Sequence, residues 1–292
     1  MNSYENCRVG GAARALLAGG GLAPPGANPA TESEVQGNFH LESFMLRSQI
    51  MADPLASQVA LVTGSGKRLG RAVALGLAEQ GADVVIHYRS SQKEALEVVA
   101  EIEKFGRRSI ALPADLANVA EIRQLFPKVE THFGRLDILV NSAANFVHTD
   151  FAATTEKLWN ASLDTNLKAP FFCAQAAAPL LKKTNGAIIN FADIGGIMGW
   201  PGFIPHSISK AGVIMLTRSL AKELAPEIRV NAIAPGTITM PGDPPQWEAD
   251  FIRLAPLHRS GRPADIVAAV NYLATAKFVT GQVLVVDGGR TL

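Results

Sequence analysis

Three side chains in the middle of the chain have types and spacing suited to proton chemistry: Asp193, His206 and Lys210. They lie in IINFADIGGIMGWPGFIPHSISK, residues 188–210. His206 and Lys210 stand at i and i+4, so on a helix they leave from one face and can point at one spot. Asp193 comes just after an apolar run, 188–191, that reads as a buried strand, and a Gly-rich loop follows it. In an open parallel sheet the carboxyl ends of the strands are where ligands bind. A carboxyl, an imidazole and an ammonium meeting there would form an acid–base centre. Such a centre can give a proton to, or take one from, a ligand bound there.

A second group of residues has the pattern of a dinucleotide site. Thr63-Gly64-Ser65-Gly66-Lys67-Arg68-Leu69-Gly70 directly follows one expected strand and opens an expected helix. Gly64 permits a tight turn, Gly70 permits close helix–strand packing, and the helix start offers free N–H groups to a pyrophosphate. The next strand ends at His87-Tyr88-Arg89-Ser90. An NAD site places an acid there to hold the ribose 2′-hydroxyl. Here Lys67, Arg68 and Arg89 can converge instead, with Ser90 as a neutral donor. Guanidinium groups suit bidentate phosphate recognition, so the expected cofactor is NADPH.

These residues need a frame, and the chain supplies one by regular alternation. Short apolar strands are expected at 59–63, 83–87, 109–113, 138–141, 187–191, 229–234 and 283–286. Helices are expected at 68–80, 92–105, 119–133, 156–183, 206–225 and 264–273. Strands without polar alternation indicate burial on both faces, hence a parallel sheet covered by helices. The expectation is one α/β domain with a Rossmann-like, doubly wound parallel sheet and right-handed crossovers. The one long irregular insert falls at 237–256.

The bulk composition agrees with an ordinary soluble globule: 292 residues, 48% hydrophobic, 18% charged and a net charge of +1. Such a charge balance gives no electrostatic case for nucleic acid or an anionic membrane. No apolar run suggests a membrane span. The two cysteines, Cys7 and Cys173, lack metal or redox spacing, which points to a reducing, cytoplasmic setting. The remaining histidines have no metal-ligand spacing either, and no metal is expected. Residues 1–56 read as a disordered extension ahead of a domain at 57–292, since their Gly-, Ala- and Pro-rich start has no core-building period.

Taken in order, the motifs over 57–292 resemble the short-chain dehydrogenase/reductase family. They are the T-G-x-x-x-R-x-G turn at 63–70, Asp115-Leu116, Asn141-Ser142-Ala143-Ala144, Asn166 in DTNLKAP, Asp193, Lys210, Pro235-Gly236 and VDGG at 286–289. Within that family the chain is most similar to pteridine reductases. The signs are Arg68 at a position usually glycine, the H-Y-R-S strand end, Asp193 where relatives carry Ser, and a substrate loop around 240–257. The resemblance implies NADPH, a pterin or dihydropterin C=N substrate, and a homotetramer or homodimer with contacts on helices 156–183 and 206–225. It also implies roles. Asp115 and Leu116 would contact the adenine, and Asn141 with Ser142 and Ala143 the adenosine ribose region. Asn166 would organise a water beside Lys210, and Lys210 would hold the nicotinamide ribose. Pro235, Gly236 and Thr237 would lie along the nicotinamide.

Two departures bear on this picture. The family's catalytic Tyr is His206 here, and the aromatic expected to stack on the pterin falls at Asn145, with Phe146 one position late. Trp200, Phe203 and Trp247 are other possible stacking surfaces. Three readings of His206 stay open: a working general acid with Asp193 and water, an orienting group while Asp193 donates, or a silent NADPH-binding sensor or scaffold. A 3-oxoacyl or other small-carbonyl reductase is the alternative enzyme.

Overall fold

The structure, a computed structural model, describes residues 53–243 and 245–292. The expected extension therefore lies outside the described residues, except for its last four positions. Those belong to the folded body. Leu55 is fully buried, and its N–H donates to the Gln80 carbonyl at 2.9 Å. The compact unit accordingly begins at Asp53.

Seven strands form one sheet in the order β3-β2-β1-β4-β5-β6-β7. They are β1 (Val59–Val62), β2 (Asp83–Tyr88), β3 (Ser109–Pro113), β4 (Ile138–Asn141), β5 (Ala187–Phe191), β6 (Arg229–Pro235) and β7 (Val283–Val286). All neighbours pair in parallel. The chain order reverses between β1 and β4, and that switch point is where a doubly wound sheet opens a ligand crevice.

The period of two along each strand sends alternate residues to opposite faces. Ala60, Val62, Val84, Ile86, Ile138 and Val140 face α1 (Arg68–Glu79), α2 (Gln92–Lys104) and, beyond β7's partner strands, α9 (Pro263–Thr275). Val59, Leu61, Val85, Leu139, Ile188 and Val230 face α3 (Val119–Phe133), α5 (Ala169–Thr184) and α7 (Ile204–Glu223). β7 departs from the expected burial on both faces. It is an edge strand, and Val285 is 37% exposed.

The expected helix over 156–183 is interrupted. It divides into α4 (Glu156–Leu163), a π turn at Asp164–Lys168 and α5. Ala169 N–H reaches back to the Asp164 carbonyl, and Pro170 has no N–H to give the carbonyl of Asn166. The irregularity thus sits on Asn166, and π turns of this kind concentrate at functional sites. Two short elements also differ from expectation. α6 (Gly195–Met198) forms in the Gly-rich loop, and α8 (Pro245–Leu254) forms inside the insert expected to be irregular. Phe251 and Ala255 bury against Ile194, which anchors α8 beside the end of β5.

Candidate active site

The carboxyl ends of the strands surround one cavity of about 730 Å³. On one wall lies the turn after β1. Gly64 has φ +65°, and a Cβ there would come within 2.9 Å of the Ala143 backbone. A Cβ on Gly70 would meet the Gly64 carbonyl at 2.4 Å. Both glycines are required by close backbone approach. Thr63 completes the junction, its Oγ1 accepting from the N–H groups of Ser142 (2.9 Å) and Ala143 (3.0 Å). Lys67, the residue before α1, has no side-chain cap over the helix N-terminus. Lys67, Arg68 and Leu69 line the cavity, so that N-terminus opens toward it.

Arg68 holds a left-handed φ of +51°, a conformation rare for a residue with a side chain. Its guanidinium pairs with Asp243, at 2.9 and 3.1 Å to the two carboxylate oxygens. Lys67 pairs with Glu94 at 2.6 Å. The three expected cations therefore do not act alike. Among the described residues no carboxylate pairs with Arg89, which lines the cavity beside Ser90. Asp243 and Glu94 were not legible as partners, because each comes from an element distant in sequence or from the next helix.

His87 lines the cavity but is tied into the fold. Its Nδ1 accepts from Gly64 N–H at 3.0 Å, and its Nε2 lies 3.0 Å from the Ala114 carbonyl. The first bond requires a bare Nδ1, so Nε2 carries the proton. Burial pushes the imidazole down to about 4, against smaller opposing effects of the Ala114 bond and Asp115. Between pH 6.5 and about 4 the unfolded chain binds a proton that the folded chain does not. His87 thus makes stability fall as the pH drops through that window. His87→Leu strands two buried polar groups, at about 1–3 kcal/mol each. It is expected to raise the KM for a dinucleotide about tenfold. His87→Asn, which restores an acceptor near the Nδ1 position, is expected to recover most of that loss in steady-state kinetics.

Three expected site residues lie away from the cavity. Tyr88 is buried among Val84 and Ile86, because the strand's alternation turns it to the sheet face opposite that of His87, which lines the cavity. Asn141 donates to Asn190 at 2.9 Å, and Asn190 donates to Thr217 at 3.0 Å, a polar chain inside the fold. Asn166 is buried and engages protein groups rather than the open cavity. Asp115, Leu116, Ser142, Ala143, Pro235, Gly236 and Thr237 all line the opening.

The opposite wall carries Lys210, Asp193 and His206. Lys210 is buried, and its Nζ donates to the Phe191 carbonyl at 2.7 Å. Burial lowers the ammonium to about 8, with the charge of Asp193 opposing the fall. Asp193 Oδ1 accepts from Gly195 N–H at 2.6 Å, which leaves Oδ2 facing His206 Nε2 at 3.8 Å. His206 is 3% exposed, and among the described residues its Nε2 has no hydrogen-bond partner. Phe146 meets the His206 ring edge-on at 4.8 Å and stacks on Phe203 at 4.4 Å. Trp200 lies parallel to the imidazole at 6.4 Å. The aromatic side chain one position late thus still reaches the cavity, while the Trp247 side chain is outside the described ones. The carboxyl, imidazole and ammonium expected at one cleft do meet.

Residues 64–291 match the sequence profile of a family described as enoyl-(acyl carrier protein) reductase. A 3-oxoacyl-[acyl-carrier-protein] reductase of Synechocystis is 40% identical over 243 residues, 82% of this chain and 98% of the relative. The chain belongs to the short-chain dehydrogenase/reductase family. Two solved structures agree closely with it. A short chain dehydrogenase from Burkholderia cenocepacia in complex with NADP has a TM-score of 0.78 at 33% identity, covering 82% of this chain and 99% of its own. A blue fluorescent protein from a metagenomic library in complex with NADPH has a TM-score of 0.77, also at 33% identity, with the same coverage. Among the described residues of this short-chain dehydrogenase/reductase, no group of His, Cys, Asp and Glu could hold a metal ion, and no helix is long and apolar enough to cross a membrane.

Proposed function

We propose that this chain is an NADPH-dependent reductase that uses His206 as its general acid on a planar, dihydropterin-type C=N bond. The observation that carries the reading is His206, which lines the cavity with its Nε2 buried beside the Asp193 carboxylate and, among the described residues, without a hydrogen-bond partner. When bound, the cofactor supplies a hydride from its nicotinamide to the substrate carbon. The substrate's C=N electron pair then moves to nitrogen and takes the proton from His206 Nε2. The neutral ring that remains recovers its proton from solvent. Lys210, whose Nζ donates to the Phe191 carbonyl, places a cation next to this exchange and would hold a ribose hydroxyl. The glycine turn, the uncapped start of α1 and the unpaired Arg89 support a dinucleotide with a 2′-phosphate. Arg89→Asp is expected to shift the NADPH-to-NADH preference by about 100-fold, the scale of losing a charge-assisted phosphate contact and adding a repulsive charge. Comparing kcat/KM for the two cofactors measures it.

A carboxylate at Asp193 supports the pterin reading over an oxoacyl one. A pterin presents N–H donors to that oxygen, whereas a 3-oxoacyl thioester presents carbonyl oxygens. Phe146, half exposed at the cavity, adds a flat surface for a planar ring. A second reading, reduction of 3-oxoacyl thioesters, is favoured by the 40% identity to the Synechocystis reductase. A substrate panel with NADPH decides. Turnover of dihydrobiopterin or dihydrofolate supports the first reading, and turnover of acetoacetyl thioesters alone supports the second. NADPH binding with no turnover of either leaves a silent cofactor-binding protein.

We further propose a homotetramer. Phe278 and Leu292 are fully exposed beside the β7 edge, and Ile208 and Met215 are exposed on α7. Ile208 and Met215, seven positions apart on α7, share one helix face that a partner helix could cover. Sedimentation of the full chain is expected to give four copies, and Met215→Glu is expected to reduce that number.

A further inference from the structure

The side chain of Asn166 has a fixed orientation. Asn145 N–H donates to its Oδ1 at 2.8 Å, so its Nδ2 must face the other way. Three acceptor atoms surround that Nδ2: the Asn145 carbonyl at 3.0 Å, Ser209 Oγ at 3.2 Å and His206 Nδ1 at 3.4 Å. An amide nitrogen has two protons to give. Ser209 Oγ spends its own proton on the His206 carbonyl at 2.6 Å, so it receives from Asn166. The Asn145 carbonyl, the nearest of the three, takes the second proton. None is left for His206 Nδ1. That nitrogen lies 3.3 Å from the Asn145 carbonyl, whose second lone pair is free to accept from it.

We infer that Asn166, by bracing the backbone of Asn145 on both its N–H and its carbonyl, holds the proton of neutral His206 on Nδ1 and leaves Nε2 as the nitrogen that exchanges a proton with substrate. Asn166 is in this respect a positioning residue. It acts through a main-chain carbonyl, in a role similar to the group that orients the imidazole of a catalytic triad. The π turn serves it, because the i→i−5 bond from Ala169 to Asp164 and the absent N–H of Pro170 let the helix bulge at Asn166. The side chain of Asn145 contributes a further tie, its Nδ2 donating to the Ala161 carbonyl at 2.7 Å. Free imidazole in water favours the proton on Nε2, so the opposite tautomer would be a property that the fold imposes.

The meaning of this brace for catalysis rests on the proposed role of His206 as acid. Its physical content can be read without turnover. The full chain is labelled with 15N-imidazole histidine, and the His206 resonances are assigned by their loss in His206→Gln. At a pH about two units above the ordinary imidazole value the neutral ring should show a protonated Nδ1 and a bare Nε2. A proton on Nε2 in that spectrum overturns the inference. Asn166→Ala should move the signature toward a protonated Nε2 and lower kcat about 100-fold, while KM for NADPH stays within about twofold. An unchanged tautomer in Asn166→Ala, with cofactor still bound, would also overturn it. If the wild-type chain shows a protonated Nδ1 yet reduces no substrate, the brace stands and the proposed catalytic function falls.

Discussion

Replacing His206 by glutamine is expected to lower kcat about 1000-fold and to leave the dissociation constant of NADPH nearly unchanged. The size follows from losing a positioned general acid, which contributes about 100- to 10,000-fold. The split follows from geometry. Nε2 faces Asp193, and the ring, which lines the cavity, has Phe146, Trp200, the Asn145 carbonyl and Asn166 Nδ2 as its other neighbours. Glutamine keeps a polar end of similar reach but has no proton to release near neutral pH. Steady-state turnover with a fluorescence titration of cofactor separates the two effects. Should His206→Gln turn over like the wild type, Asp193 becomes the proton donor and His206 an orienting group. His206→Tyr restores the usual phenol beside Lys210, and it is expected to retain measurable turnover with an altered pH profile.

Lys210 carries the second large effect, and its sign is opposite to that of a surface lysine. Burial lowers the ammonium from 10.5 to about 8, with Asp193 opposing. Between these values the unfolded chain holds a proton that the folded chain has released. Stability therefore rises with pH across the window from about 8 to 10.5. The full rise amounts to about 3 kcal/mol, since one pKa unit is worth about 1.4 kcal/mol. Below pH 8 both states are charged, and the cost of burying the cation is present in full. Lys210→Met removes the titration, so the difference between wild-type and variant denaturation curves should change by that amount across the window. A flat difference would show that the ammonium is not desolvated. The same variant is expected to weaken cofactor binding, because the Nζ that donates to the Phe191 carbonyl is also the group proposed to hold the ribose. A stabilising change that removes function is the usual trade at a site built on a strained or desolvated group.

Much of this site was legible in the chain because it depends on local spacing. The i, i+4 relation puts His206 and Lys210 on one helix face wherever that helix lies. The glycines at 64 and 70 follow from a turn that any strand-to-helix junction of this kind requires. Alternating apolar runs and amphipathic helices were sufficient for the parallel sheet, and most expected strands agree with the observed ones to within a residue. The misses have physical causes of their own. Tyr88 was placed with its neighbours in the H-Y-R-S run, but adjacent strand residues face opposite sides of the sheet. Asn141 was placed at the cofactor, but its amide is committed to Asn190 on the adjacent strand. Periodicity hid the π turn, since one inserted residue leaves an apolar helical pattern readable on either side.

The sequence by itself determined the sheet, the family, the glycine turn after β1 and the helix face shared by His206 and Lys210, all through contacts a few residues long. Tertiary structure decided the chemistry of the imidazole. The partners of His206 come from the β4 loop, the π turn and the end of β5, which no spacing connects. Which nitrogen of His206 holds its proton depends on how two amide protons of Asn166 are shared among acceptors that meet only when the chain has folded.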